Sequence, residues 1–209
     1  VTGGAPAGDA PAGRLDPPPA MAGEEARRLL GAVAAAGGAA RFVGGCVRDA
    51  LLGRDLRDVD VATDLEPARV VAALREAGIR AVPTGIEHGT VTAVVGHRPF
   101  EVTTLRRDVE TDGRRAVVAF TRDWREDAGR RDFTMNALSL DPGGDLYDYF
   151  GGVADARAGR VRFVGEPEPR IREDVLRLLR FFRFHAHYGI AAPDAAALDA
   201  CARLAHLLP

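Results

Sequence analysis

The sequence predicts an α+β fold in which a head built on a mixed sheet is followed by an all-helical neck. Three observations carry this. Between residues 22 and 158, helix-period stretches alternate with short runs in which apolar and polar residues alternate. From about Pro169 the pattern is helical and stays so to the end. The paired glycines Gly151 and Gly152 of "YDYFGG" stand between the two regimes, where a hinge belongs. The predicted layout is a disordered tail over 1–21, a head over 22–158 and a neck over 159–209. The 209 residues accommodate one large domain or two small ones.

Each element has a local reason. Residues 1 to about 20, "VTGGAPAGDAPAGRLDPPPA", offer almost nothing to bury and read as disordered. "GEEARRLLGAVAAAG" has helical periodicity and stops at Gly37-Gly38. "ARFVGG" is a short strand running into two glycines, and "CVRDALLG" a helix closed by Gly53. "DVDVAT" alternates as a strand does, and "EPARVVAALREAG" is a helix with Pro67 in its first turn and Gly78 at its end. "TVTAVVG" and "PFEVTTL" are strands joined near "HRP". Arg106 to Arg130 is charge-rich and predicts a mobile loop around one inner strand, "AVVAF". "NALSLD" and "LYDYF" make a hairpin through "PGG".

Composition excludes several functions. Hydrophobic residues are 46% and charged residues 28%, the balance of a globular chain. The net charge is −2, so any basic surface for a nucleic acid has to be local. There is no Lys; all 28 basic residues are Arg. No apolar run is long enough to cross a membrane, and the first residues lack the order of a signal peptide. Cys46 and Cys201 are far apart in no metal-like spacing, which fits a reducing cytoplasm.

The chemistry gathers in a few stretches. In "FVGGCVRDALLG" a strand ends in two glycines and a helix begins at once. Glycines let a phosphate approach the backbone, and a helix start presents free N–H groups. Arg48, one turn in, adds a charged donor. A tight turn is the plainer reading of that piece alone. Ten residues on, Asp58 and Asp60 stand at i and i+2. On a strand they share one face, about 6.5 Å apart, and two such carboxylates suit Mg²⁺. A solvated strand edge is the alternative. A calcium loop is excluded because Ala62 and Thr63 occupy its fifth and sixth positions. A nucleotide-sugar transferase with an Asp-x-Asp site stays a weaker rival. Glu101, between Phe100 and Val102, is an acid that a strand can aim into a cleft. One of Arg130 and Arg131, at the start of "RRDFTMNAL", suits a triphosphate or a ribose; an exposed charged turn leading into a strand is the alternative.

In this order, "GGCVRDALLGRDLRDVDVAT", "RRDFTMNA", "DYFGG" and "EDVLRLLRFFRF" resemble the successive motifs of class II (bacterial-type) CCA-adding tRNA nucleotidyltransferases and their poly(A) polymerase relatives. The resemblance runs from about residue 41 to 190. It implies a polymerase-beta-like nucleotidyltransferase head that adds CMP and AMP, from CTP and ATP, to the tRNA 3′ end without a nucleic-acid template. Asp58 and Asp60 match the metal carboxylates, with Mg²⁺ as cofactor, and Glu101 an acidic position beside them. Gly45, Arg48 and Arg131 match nucleotide-phosphate contacts. Asp174 and Arg177 match an Asp and an Arg that read the incoming base. On one continuous helix these two lie side by side at i and i+3, and their donors and acceptors suit a Watson–Crick edge. Arg180 continues the ridge. Each i+3 step turns about 60°, so Arg183 stands roughly half a turn from Asp174 and is the least secure member. A set of snorkelling arginines is the plainer reading of the ridge. The family's long helical body is expected to be absent here. Poly(A) polymerase, or CC-only or A-only addition, is the alternative within the class; a non-catalytic RNA-binding module is the alternative outside it.

Overall fold

The computed structural model describes residues 9–112, 115–190 and 192–208. In chain order these form β1 (Gly13–Arg14), α1 (Pro19–Ala22), α2 (Glu24–Ala35), β2 (Ala40–Val43), α3 (Gly45–Leu51) and β3 (Asp60–Thr63). There follow α4 (Pro67–Glu76), β4 (Arg80–Gly85), β5 (Thr90–Val95), β6 (Arg98–Thr104), β7 (Arg106–Asp112), β8 (Arg115–Phe120) and α5 (Trp124–Gly129). The rest are β9 (Leu138–Leu140), β10 (Asp145–Asp148), α6 (Gly152–Arg157), α7 (Pro167–Glu173), α8 (Leu176–Tyr188) and α9 (Ala195–Leu204).

Eight strands make one mixed sheet in the order β1-β10-β9-β2-β3-β6-β5-β4. β3 and β6 run parallel, and the other neighbours are antiparallel. One face is apolar because alternate residues Val61, Val91, Ala93, Val95, Phe100 and Val102 point the same way. They meet Leu29 and Val33 of α2 and Val70 and Leu74 of α4 in the main core. Burying each such side chain contributes roughly 1.5–3 kcal/mol, which is why the helices lie there.

A second core joins head to neck. Phe133, on the segment before β9, sits against Phe163 with centroids 5.0 Å apart and against Phe184 of α8 at 4.9 Å. Ile171, Leu178, Phe181, Ala197 and Leu204 complete that core. The neck is therefore packed on the head through shared aromatic burial, and α8 has a definite place relative to β3. Among the described residues no helix is long and apolar enough to cross a membrane.

The structure departs from the sequence reading in five places. The disordered tail predicted over 1–21 is not what residues 9–21 form; residues 1–8 lie outside the described residues. β1 pairs with the edge strand β10, Met21 is buried in the main core, and Asp9 makes an ion pair with Arg41. Low-complexity composition gives no hint that an open sheet edge and a buried guanidinium await it. The predicted mobile loop is instead an antiparallel pair, β7–β8, followed by α5, whose start is capped by Asp123; residues 113–114 at the turn lie outside the described residues. β4 was not foreseen, because Pro83 and Gly85 interrupt its pattern. β3 begins only at Asp60, so Asp58 precedes the strand. Finally, "EDVLRLLRFFRF" is not one helix: α7 ends at Glu173 and α8 starts at Leu176.

Candidate active site

Strand β3 brings the acidic centre together. Asp60 is its first residue and stands opposite Glu101 of β6 in parallel register. Asp58 lies just upstream and is exposed, as is Glu101, while Asp60 is half-buried. The Asp60 carboxyl is raised above the ordinary range by its burial, with Glu101 and Asp58 pushing the same way and Arg131 opposing. Burial is the main cause and the neighbouring carboxylates add to it; a bound cation would offset both. Among the described residues none donates a hydrogen bond to the carboxylates of Asp58, Asp60 or Glu101, so their oxygens are available. Among the described residues no three His, Cys, Asp or Glu side chains converge enough to hold an ion by themselves. An all-oxygen site of two carboxylates, completed by substrate phosphate and water, is how Mg²⁺ is commonly held. The residues thus fit a hard divalent cation.

Beside these acids opens a cleft of about 540 Å³ lined by Gly45, Arg48, Asp58, Asp60, Arg183 and Tyr188. Its size suits a small-molecule ligand. The glycine pair forms it in an unequal way. Gly44 has φ +74 and ψ −129, a conformation open to glycine alone. A Cβ there would come 2.7 Å from Arg131 Nη1. Gly45 has no such constraint; a Cβ on it would meet Arg48 Nη2 at 3.5 Å, ordinary contact.

Arg48 is buried, at 6% exposure, and heavily engaged. It donates from Nε and Nη2 to Asp49 at 2.9 and 2.8 Å, from Nη2 to the Tyr188 hydroxyl at 2.6 Å, and from Nη1 to Asn136 Oδ1. Its guanidinium also lies 4.1 Å from the Tyr188 ring centroid. Asn136 donates in turn to Asp132 at 2.8 Å, and Asp132 accepts from Arg180 Nε at 2.8 Å. A continuous polar chain therefore runs from α3 to α8. Arg131 is held by Asp127 at 3.2 Å; burial would raise Asp127, yet the charges of Arg131 and Arg130 outweigh it and hold this carboxyl below its usual range. Burial pushes Arg130 down to about 10.

The predicted base-reading pair is placed differently from the prediction. Asp174 has extended backbone between two helices; its carboxylate accepts from Leu176 N at 3.0 Å, the bond that starts a helix. Arg177 donates to Glu173 at 2.6 Å and to the carbonyls of Arg170 and Arg130 at 3.0 and 3.1 Å. The two are three residues apart in the chain but are not on one helical face, because Asp174 lies outside α8, and neither lines the cleft above. Arg180 reaches the site only through Asp132. Arg183, the least secure by helical geometry, is the ridge member that lines the cleft. The break before Leu176 resets the helix phase, so the half-turn argument from Asp174 does not apply.

Residues that the sequence reading passed over are Gly44, Asp127, Asp132, Asn136 and Tyr188. Asp132 and Asn136 lie inside the quoted "RRDFTMNA", a usable signal. Asp127 stands three and four residues before Arg130 and Arg131, a spacing the sequence does display; Tyr188 had no signal, because its partners Arg48 and Asp49 are distant in sequence.

Residues 40–162 match the family described as the poly(A) polymerase head domain. The mitochondrial CCA tRNA nucleotidyltransferase 1 of Danio rerio is 51% identical over 155 residues, 74% of this chain and 35% of that protein. The CCA-adding enzyme of Streptococcus gordonii is 44% identical over 185 residues, 87% of this chain and 45% of that protein. Among solved structures, the Bacillus stearothermophilus CCA-adding enzyme in complex with CTP superposes with a TM-score of 0.78 at 37% identity, covering 89% of this chain and 45% of its own. The chain spans less than half the length of these relatives.

Proposed function

The chain belongs to the family of CCA-adding enzymes and poly(A) polymerases, as its polymerase-beta-like head with the adjoining helices, and from that premise we propose that it adds CMP and AMP, from CTP and ATP, to the tRNA 3′ end. The observation that carries this is the meeting of Asp60 and Glu101, in register, with a cleft floored by Gly45 and walled by Arg48 and Arg183. Relatives of the same head act on tRNA or hold CTP, as their names state.

In this reading the terminal 3′ hydroxyl oxygen bonds to the α-phosphorus of the nucleotide. The bond from that phosphorus to the β-phosphate oxygen breaks, and pyrophosphate leaves. Glu101, exposed beside Asp60, is available to accept the hydroxyl proton. Asp58 and Asp60 would hold a divalent cation, assigned as Mg²⁺, which when bound supplies charge neutralisation for the phosphates and a lower hydroxyl pKa. Arg48, Arg131 and Arg183 bind the triphosphate by charge-assisted hydrogen bonds, and Gly45 leaves room for it. The base is assigned to Asp174 and Arg177 by the family resemblance; both lie outside the cleft lining, so the base has to extend past the cleft toward the break between α7 and α8 to meet them. Asp174 keeps one carboxylate oxygen for this, and Glu173 holds the Arg177 fork in orientation. Arg180, fixed by Asp132, supports that edge. Both cysteines are buried and unpaired, in keeping with a cytoplasmic setting.

The test is incorporation of labelled CTP and ATP, separately and together, into tRNA ending at the discriminator base, with and without Mg²⁺. Two cytidines with CTP alone, completion with ATP, and loss of all incorporation in Asp60→Ala are expected. Runs of A on unrelated RNA would establish the poly(A) polymerase reading instead. Wild-type activity in Asp60→Ala would overturn the metal assignment.

A further inference from the structure

We propose that the open face of β6, β5 and β4 is the docking surface for the RNA 3′ end, held through the hydroxyls of Thr84, Thr90, Thr92 and Thr103. This rests on the function proposed above and adds where its second substrate sits.

Two substrates have to meet at Asp58 and Asp60. The arginine-walled cleft on the α3 and α8 side suits the one with dense charge, the triphosphate. The attacking end has to come from elsewhere, and the sheet offers one continuous approach. Side chains alternate across the strands, so Glu101 shares its face with Thr103 on β6. Register places Thr92 opposite Glu101 and Thr90 opposite Thr103. Thr84 joins the same face through its hydroxyl, 2.9 Å from that of Thr92, and the hydroxyls of Thr90 and Thr103 are 3.2 Å apart.

The opposite face of these strands is closed: Val91, Ala93, Phe100 and Val102 are at most 1% exposed beneath α2 and α4. The hydroxyl face is open, with Thr84 and Glu101 exposed and Thr90, Thr92 and Thr103 half-buried. Three strand spacings carry it about 14 Å from Asp60, the reach of about four stacked nucleotides at ~3.4 Å each.

The chemistry selects a ribose–phosphate chain. A threonine hydroxyl is both donor and acceptor, as is the ribose 2′-OH. Pairing Thr84 with Thr92, and Thr90 with Thr103, fixes each oxygen while leaving further bonding capacity outward. Neutral hydroxyls next to Glu101 avoid tying the strand down by charge, so it can advance after each addition. The exposed Arg80 at the outer edge of β4 supplies a positive charge for a phosphate farther along.

The experiment is steady-state CMP incorporation by the full-length protein and its Thr84→Val/Thr92→Val variant, which keeps shape and removes two hydroxyls. Primers carry either ribose throughout or 2′-deoxyribose in their last three positions before the terminal nucleotide. For the ribose primer the variant's KM is expected to rise roughly fivefold or more, the loss of about one neutral hydrogen bond. Its KM for CTP, its Tm and its KM for the deoxy primer stay near wild type, the non-additivity of two changes at one contact. An unchanged KM for the ribose primer, or an equal loss on both primers, overturns the docking surface while leaving the proposed function standing. A wild-type protein that labels neither primer overturns both.

Discussion

Replacing Gly44 by alanine isolates the turn that shapes the cleft. The perturbation has two parts. At φ +74 and ψ −129 an L-residue is strained, at about 1–3 kcal/mol for such a conformation. The new Cβ also meets Arg131 Nη1 at 2.7 Å, so that guanidinium has to move. Moving it weakens its hydrogen bonds to Asp127 and to the Asn136 carbonyl, worth roughly 0.5–1.5 kcal/mol together because the carbonyl contact is long. The total is about 3 kcal/mol, a fall in Tm of roughly 6–12 °C for a chain of this size. Urea unfolding and thermal melts measure it, with CTP affinity followed in parallel. The companion Gly45→Ala has no positive φ and only ordinary contacts. It is expected to melt within about 2 °C of wild type while weakening CTP binding, since its methyl enters the cleft. Equal stability in Gly44→Ala and Gly45→Ala would refute the reasoning.

Three further outcomes follow from the geometry. Asp132→Ala removes the carboxylate shared by Arg180 and Asn136; it is expected to cost about 2–3 kcal/mol in urea unfolding, less than a fully buried pair because Arg180 is 40% exposed. Asp127 has its folded pKa held low, so its contribution is complete above the ordinary Asp value and is lost as pH falls through the folded one. Stability measured against pH should therefore drop below about pH 4, and Asp127→Asn, less stable at neutral pH, should show a shallower acid limb; an unchanged slope contradicts the pairing with Arg131 and Arg130. Burial pushes both cysteine thiols up to about 11, so iodoacetamide at pH 8 should label neither until the chain is unfolded, as mass spectrometry would show.

Most of the acidic centre was legible because its residues lie within short stretches with strict local geometry. "FVGG" before "CVRDALLG" foretells a strand, a turn and a helix, and Asp60 marks the strand that carries the acidic cluster. Even Glu101 could be singled out, as an acid between two apolar neighbours. What Glu101 faces was not legible, because the parallel pairing of β3 with β6 joins residues 41 positions apart. The same distance hid Tyr188, 140 residues from Arg48.

The motifs, the alternation of strands and helices, and the family follow from the residues alone, since each is a matter of nearest neighbours and order along the chain. The neck ridge shows where that ends. A run of apolar residues and arginines at every third position is compatible with one helix from Glu173 to Phe184, and Asp174, a residue type that starts helices, is too weak a local signal to fix a break there. Tertiary contacts place it: Phe181 and Phe184 have to reach Phe133, Arg170 and Arg177 have to satisfy the Arg130 carbonyl, and the chain bends so that both demands are met. Which arginine reaches the cleft is settled by that bend, because a helix restarted at Leu176 turns Arg183 toward Asp58 and Asp60 and leaves Arg177 bonded to the Arg130 carbonyl.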